Sequence, residues 1–323
     1  MSIEGIEPTV PLRSAAAPAA RRSLPALGTY LRMVVALGVG SMRPALPLLI
    51  FAYFYNLGTE LYLAFSLDTD AFGESQAFLS GVMSGVAQVP LWFLVTALLL
   101  PMQDSLLRGE RRSFPEAVPI AVRRMPALIL SMFVQALILL GPPLLLLGGV
   151  GLFVKSLPTL PGSPVEVLRG ALFLALIPSA IYVLVFVVLF WLTEPALILD
   201  SRGPLASIGR SVSLGASHFG GMLGRVIVFN LLLILAMLVA ITPVLFLEAG
   251  AALSGSAQPA VKVAQIIWDS LAAAASYPFT VAAVLVLYRA LQPYGGATAA
   301  DGTPLPGTAA ATAPRATSPF QFE

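Results

Sequence analysis

Two carboxylic acids fall inside long apolar runs, Glu60 near the end of one and Asp269 near the start of another. At 1.5 Å rise per helical residue both would lie roughly 8–9 Å below the same bilayer boundary. A charge at that depth is costly. Such a pair is therefore either a proton- or cation-binding site, or two carboxyls hydrogen-bonded to Asn56, Gln265 or a tyrosine and reaching toward water. Other chemistry is sparse. His218 is the single histidine and cysteine is absent, which removes His-pair metal sites, bis-histidine haem, thiolate metal centres, disulfides and cysteine nucleophiles. Glu194 and Asp200 flank the inner end of the fourth apolar run, where capping or pairing with Arg202 or Arg210 is the simpler role than acid–base work. No phosphate loop or dinucleotide fingerprint occurs. The expectation is a protein without catalysis and without a cofactor or metal.

The elements that would position these residues follow from composition. Of 323 residues 58% are hydrophobic and 11% charged, with a mean hydropathy of +0.89, more apolar surface than a water-soluble domain can hide. Six runs reach the ~20 residues that a helix needs to cross a ~30 Å hydrocarbon core: 45–65, 81–101, 127–147, 170–192, 226–247 and 263–287. Their unbroken apolarity, without strand-like alternation, predicts helices and excludes a barrel. Every run contains or ends at proline, and Gly81 with Gly85 makes a GxxxG pair suited to close helix packing.

Orientation is read from the basic residues. Fifteen of the 18 Lys and Arg fall before the first run, in the second and fourth connections or after the last run, against three (Lys155, Arg169, Lys262) in the other connections. Basic residues are retained in the cytoplasm during insertion, so both termini are expected inside. Residues 1–28 contain Glu4, Glu7 and several prolines without an apolar core, so no signal peptide is expected and the first span would serve as the signal. A net charge of only +2 makes the basic character a property of one face. That face suits anionic headgroups better than nucleic acid.

Short amphipathic segments precede the odd-numbered runs at intervals of roughly 85 to 90 residues, which predicts three helical hairpins with interfacial helices on the cytoplasmic side. In the middle copy Phe114, Ala117, Val118, Ala121, Val122 and Met125 share one helical face. Ser113 and Glu116 have capping-box spacing, and Arg123 and Arg124 close the segment. The third copy begins at Pro204 and puts Leu205, Ile208 and Val212 on one face; the first, 29–37, is weaker. Candidate lipid or partner contacts are Arg111, Arg112, Arg123, Arg124, Arg202 and Arg210.

The runs Glu194-Pro-Ala-Leu-Ile-Leu-Asp200, Gly203-Pro-Leu-Ala-Ser-Ile-Gly-Arg-Ser211 and Leu214-Gly215, with Arg111–Met125 as an earlier counterpart, resemble the cytoplasmic signature of the six-helix membrane domain attached to some bacterial glycerophosphodiester phosphodiesterases and of related stand-alone membrane proteins. The catalytic barrel of those enzymes takes ~250 residues, and no soluble segment approaches that length. The resemblance thus implies the role of the membrane part alone.

Three parts are expected: a disordered segment 1–28, a six-helix transmembrane domain 29–292, and an Ala/Thr/Pro-rich tail 293–323 that would order only against a partner. The functional expectation is an accessory or scaffold subunit of a bacterial-type inner membrane, contacting lipids and other integral membrane subunits. The alternative is a small-solute or ion permease using Glu60 and Asp269.

Overall fold

A computed structural model describes residues 24–66, 76–156, 164–200, 202–254 and 258–292. Within them the chain is all-α: α1 (Leu27–Met42), α2 (Leu46–Ser66), α3 (Gln76–Leu107), α4 (Phe114–Ser156), α5 (Pro164–Phe190), α6 (Thr193–Leu199), α7 (Pro204–Ser217), α8 (Phe219–Ser254) and α9 (Gln258–Leu291). No strand occurs among the described residues. Six helices are long and apolar enough to cross a membrane, and each matches one predicted run. The expected end segments lie outside the described residues, apart from 24–28.

Helix ends depart from expectation where tertiary contacts outweigh local signals. The second run was expected to stop at Pro101, yet α3 continues to Leu107. A proline costs a helix one N–H and some strain, while the residues beyond it, Met102, Gln103, Asp104 and Ser105, are buried in the core. Likewise, the segment read as an interfacial helix before the third run forms the first turns of one 43-residue helix, α4, with Pro119 and Pro126 inside it. At 1.5 Å per residue α4 is about 64 Å long, twice the hydrocarbon thickness. The glutamate arm of its capping box forms, Glu116 Oε2 accepting the Ser113 N–H at 3.3 Å.

Two helices sit at the centre. Val95–Ala97 through Asp104 on α3 and Val281–Tyr288 on α9 are buried on every face, a pattern that only surrounding helices produce. Around them pack α1, α2 and α6. In contrast α8, the most apolar of the six, exposes Leu231, Ile234, Leu235, Leu238 and Val239. An apolar helix facing outward is what a lipid solvent stabilises.

The shortest helices pack by shape. On α1, Tyr30, Val34, Leu37, Gly38 and Ser41 are buried; a Cβ on Gly38 would lie 2.5 Å from the Phe279 ring, so only glycine allows α1 to approach α9 this closely. On α7 the buried face is Ser207, Ile208, Ser211, Leu214 and Gly215, while Leu205 is exposed. This differs from the expected Leu205, Ile208, Val212 face because α7 fits small residues against the break between α5 and α6. There Ser211 Oγ accepts the Leu192 N–H at 3.1 Å and donates to the Leu189 carbonyl at 2.6 Å, satisfying groups that the break leaves without helical partners.

Candidate functional site

Most of the basic residues in the described chain lie on one side of the six candidate spans, and their arrangement begins with the end of α3. Gly109 adopts φ 78°, a left-handed conformation that glycine reaches without steric cost. The Glu110 N–H returns to the Ser105 carbonyl at 2.9 Å and the Gly109 N–H to Leu106 at 3.1 Å, closing the helix with a Schellman turn. This turn folds the chain back so that the Arg112 N–H donates to Ser105 Oγ at 3.1 Å. Alpha-4 then starts beside the end of α3, and its arginines face the same space.

That space is a cavity of about 320 Å³ lined by Asp104, Arg108, Glu110, Arg112, Arg123 and Arg124, with Ile120, Ile198 and Leu199 on its apolar side. Its volume is at the lower end of the ~300–1,000 Å³ of small-ligand sites. Four guanidiniums meet two carboxylates. One carboxylate is already committed: Asp104 binds Arg108 Nη2 at 2.7 Å and Arg289 Nη2 at 2.5 Å. Among the described residues no acid is within ion-pair distance of Arg112, Arg123 or Arg124. A lining of planar cations beside aliphatic side chains can hold an anionic oxygen cluster carried on an apolar body.

Of the six arginines singled out in the sequence, the cavity brings together Arg112, Arg123 and Arg124. It excludes Arg111, Arg202 and Arg210 from its lining, and adds Arg108. Arg202 instead lies 3.4 Å from Asp200. Asp200 has closer partners on α9 and just past its end, accepting from Tyr288 Oη and from Gln292 Nε2, both at 2.5 Å. Arg289 also donates to Gln292. Asp104, Arg289, Gln292, Asp200 and Tyr288 therefore form one network under the cavity, joining α3 and α9 to the end of α6. Its bonded pairs are up to 185 residues apart, so spacing could not announce it.

Both intramembrane acids are half-buried and partnered. Glu60 is half-buried on α2 and accepts from Ser84 Oγ on α3 at 2.6 Å. Asp269 is half-buried on α9 and likewise has a partner. Gly85 has open space where a Cβ would stand, so no close helix approach occurs at that residue. The surroundings of Gly81 lie outside the described residues. Glu194 was expected to cap or to pair with arginine; instead it accepts from Trp92 Nε1 at 2.8 Å, within the fourth candidate span. His218 Nδ1 lies 2.8 Å from Ser217 Oγ at the end of α7, and no group of three or more metal-ligating side chains forms among the described residues.

Fold and site together define an α-helical bundle with six membrane-crossing lengths and an arginine-lined cavity at one end. No protein-family model, curated protein or solved structure matches the chain.

Proposed function

We propose that the chain is a non-catalytic, multi-pass protein of a bacterial-type inner membrane that holds an anionic phospholipid headgroup at its cytoplasmic end and acts as an accessory or scaffold subunit. The carrying observation is the cavity in which Arg112, Arg123 and Arg124 have no acidic partner among the described residues. In this reading the arginine-rich end faces the cytoplasm, as the retention of basic residues requires, and both termini lie there. The first turns of α4 and all of α7 rest at the interface. The helices pair as three hairpins, as the recurrence of the short amphipathic segments suggests. Ile120, Ile198 and Leu199 would meet the glycerol and upper acyl region while the guanidiniums meet the phosphate. Neighbouring membrane subunits would contact the exposed faces of α4, α5 and α8.

The test uses the purified full chain in mild detergent and counts retained phosphatidylglycerol by native mass spectrometry. Replacing Arg123 and Arg124 with glutamine should lower its occupancy, and added salt should lower it for the wild type as well. Phosphatidylcholine retention should be unaffected. Unchanged phosphatidylglycerol occupancy in the double variant would remove the reading.

A further inference from the structure

Alpha-3 carries a polar edge at four-residue spacing, Ser84, Gln88, Trp92 and Thr96, which places one polar side chain per turn over about 18 Å of its axis. Three of the four are bonded to other helices. Ser84 donates to Glu60 on α2, Gln88 Oε1 accepts from Tyr277 on α9 at 3.4 Å, and Trp92 donates to Glu194 on α6. Two carboxyls thus meet the same edge two turns apart, each from a different helix.

Hydrogen bonding between helices would by itself explain such an edge as packing. It does not explain the polar atoms left over. Asn56 is 2% exposed, yet neither atom of its amide makes a well-formed hydrogen bond, although it lies against Tyr277. Thr96 and Thr193, 1% and 0% exposed, also have hydroxyls without a protein partner. Asn56 is one turn before Glu60 on α2, Thr96 one turn beyond Trp92 on α3, and Thr193 adjoins Glu194. Each buried orphan costs about 1–3 kcal/mol, a cost that bound water relieves because water supplies both donor and acceptor.

We propose that this edge of α3 is a hydrated proton path, in which water held by Asn56, Gln88, Tyr277, Thr96 and Thr193 links Glu60 to Glu194. A hydronium at the Glu60 end gives its proton to the carboxylate, an O–H bond breaking on water as one forms on Glu60. The proton then moves by exchange of O–H bonds along the waters and the Tyr277 hydroxyl. Glu194 takes it on Oε2, since Oε1 is held by the Trp92 N–H, and returns it to water on the arginine-rich side. Charge is conserved at each exchange and no redox partner is involved. Trp92 is a positioning residue because its indole N–H fixes the Glu194 carboxyl without relaying a proton. The path shares no residue with the arginine cavity, so the two proposals fail separately.

The full chain is reconstituted in phosphatidylcholine and phosphatidylglycerol vesicles containing a pH-sensitive dye, with a potassium gradient and valinomycin setting the potential. Wild-type vesicles should acidify faster than protein-free ones, and the rate should fall in deuterated water. Glu194→Gln and Glu60→Gln keep the hydrogen-bond acceptors but cannot carry the proton, so each should return the rate to the protein-free level. Thr96→Val, which keeps the shape and removes one water ligand, should slow it. Thr242→Val, on the outward face of α8 and bonded to its own helix, should leave it unchanged. Circular dichroism and monodisperse elution identify variants that fold; if a glutamine variant does not, Thr96→Val decides. Wild-type acidification no faster than protein-free vesicles overturns the proposal, as does a rate retained in every folded path variant.

Discussion

Asp104 Oδ1 receives two N–H groups from one arginine, Arg289 Nε at 2.6 Å and Arg289 Nη2 at 2.5 Å, across the contact between α3 and α9. The other oxygen, Oδ2, takes Arg108 Nη2 at 2.7 Å. The two arginines are not equivalent. The Arg289 side chain is 29% exposed and that of Arg108 is 59%, so water screens the second pair far more.

Removing the buried partner should therefore cost much more than removing the surface one. Asp104→Ala strands Arg289 between two helices, and breaking a buried pair costs about 3–5 kcal/mol; the partial exposure of Arg289 places the expected loss toward the lower figure. Arg108→Gln should change stability by about 1 kcal/mol or less. Unfolding in detergent followed by circular dichroism measures both. Equal losses would show that the Arg289 pair adds nothing beyond the Arg108 pair.

Gly38 and Phe279 pack tightly between α1 and α9. Gly38→Ala drives its Cβ into the Phe279 ring, and overpacking of this kind costs about 1–3 kcal/mol. Phe279→Leu alone should also destabilise through lost contact area. Combined with Gly38→Ala it should recover part of the loss, giving a favourable coupling in the double-mutant cycle. Strict additivity of the two substitutions would mean that α1 moves away instead of clashing.

What could be read in the sequence divides along physical lines. Membrane-length helices were legible because lipid demands long apolar runs, and the observed α2 (Leu46–Ser66) differs from its predicted run by one residue at each end. Packing of the short helices was not. Alpha-1 gave a weak amphipathic signal because its contacts with α3 and α9 rest on a glycine, a serine and a buried tyrosine, whose fit depends on the partner surfaces. The Tyr30 phenol illustrates this: burial raises its pKa above the usual range, against the opposing pull of Arg225 on another helix.

The site was legible as a charge count but not as a constellation. Arg112, Arg123 and Arg124 could be placed on one side of the membrane by topology alone. Which arginines converge depended on the Gly109 turn, and which acid they would lose to pairing depended on α9. Trp92 and Glu194, 102 residues apart, carry no mutual signature. One pattern was present and informative: Ser84, Gln88, Trp92 and Thr96 recur every four residues within an apolar run, the spacing of a single helix edge.

The cytoplasmic position proposed for the cavity can be tested cleanly because the chain contains no cysteine. Lys262, exposed near the start of α9, and Glu110, exposed just past the end of α3, lie at opposite ends of membrane-length helices. Among the described residues, every Lys and Arg except Lys155, Arg169 and Lys262 belongs to the segments on the Glu110 side of the spans, and the proposed function puts that side in the cytoplasm because basic loops are retained there during insertion. In intact cells a membrane-impermeant maleimide should therefore label Lys262→Cys and spare Glu110→Cys, while permeabilised cells should expose both. Neither substitution interrupts a described hydrogen bond made by its side chain, so folding should be unaffected. The reversed pattern would put the arginine cavity on the outer face. A cytoplasmic headgroup could then not be its ligand.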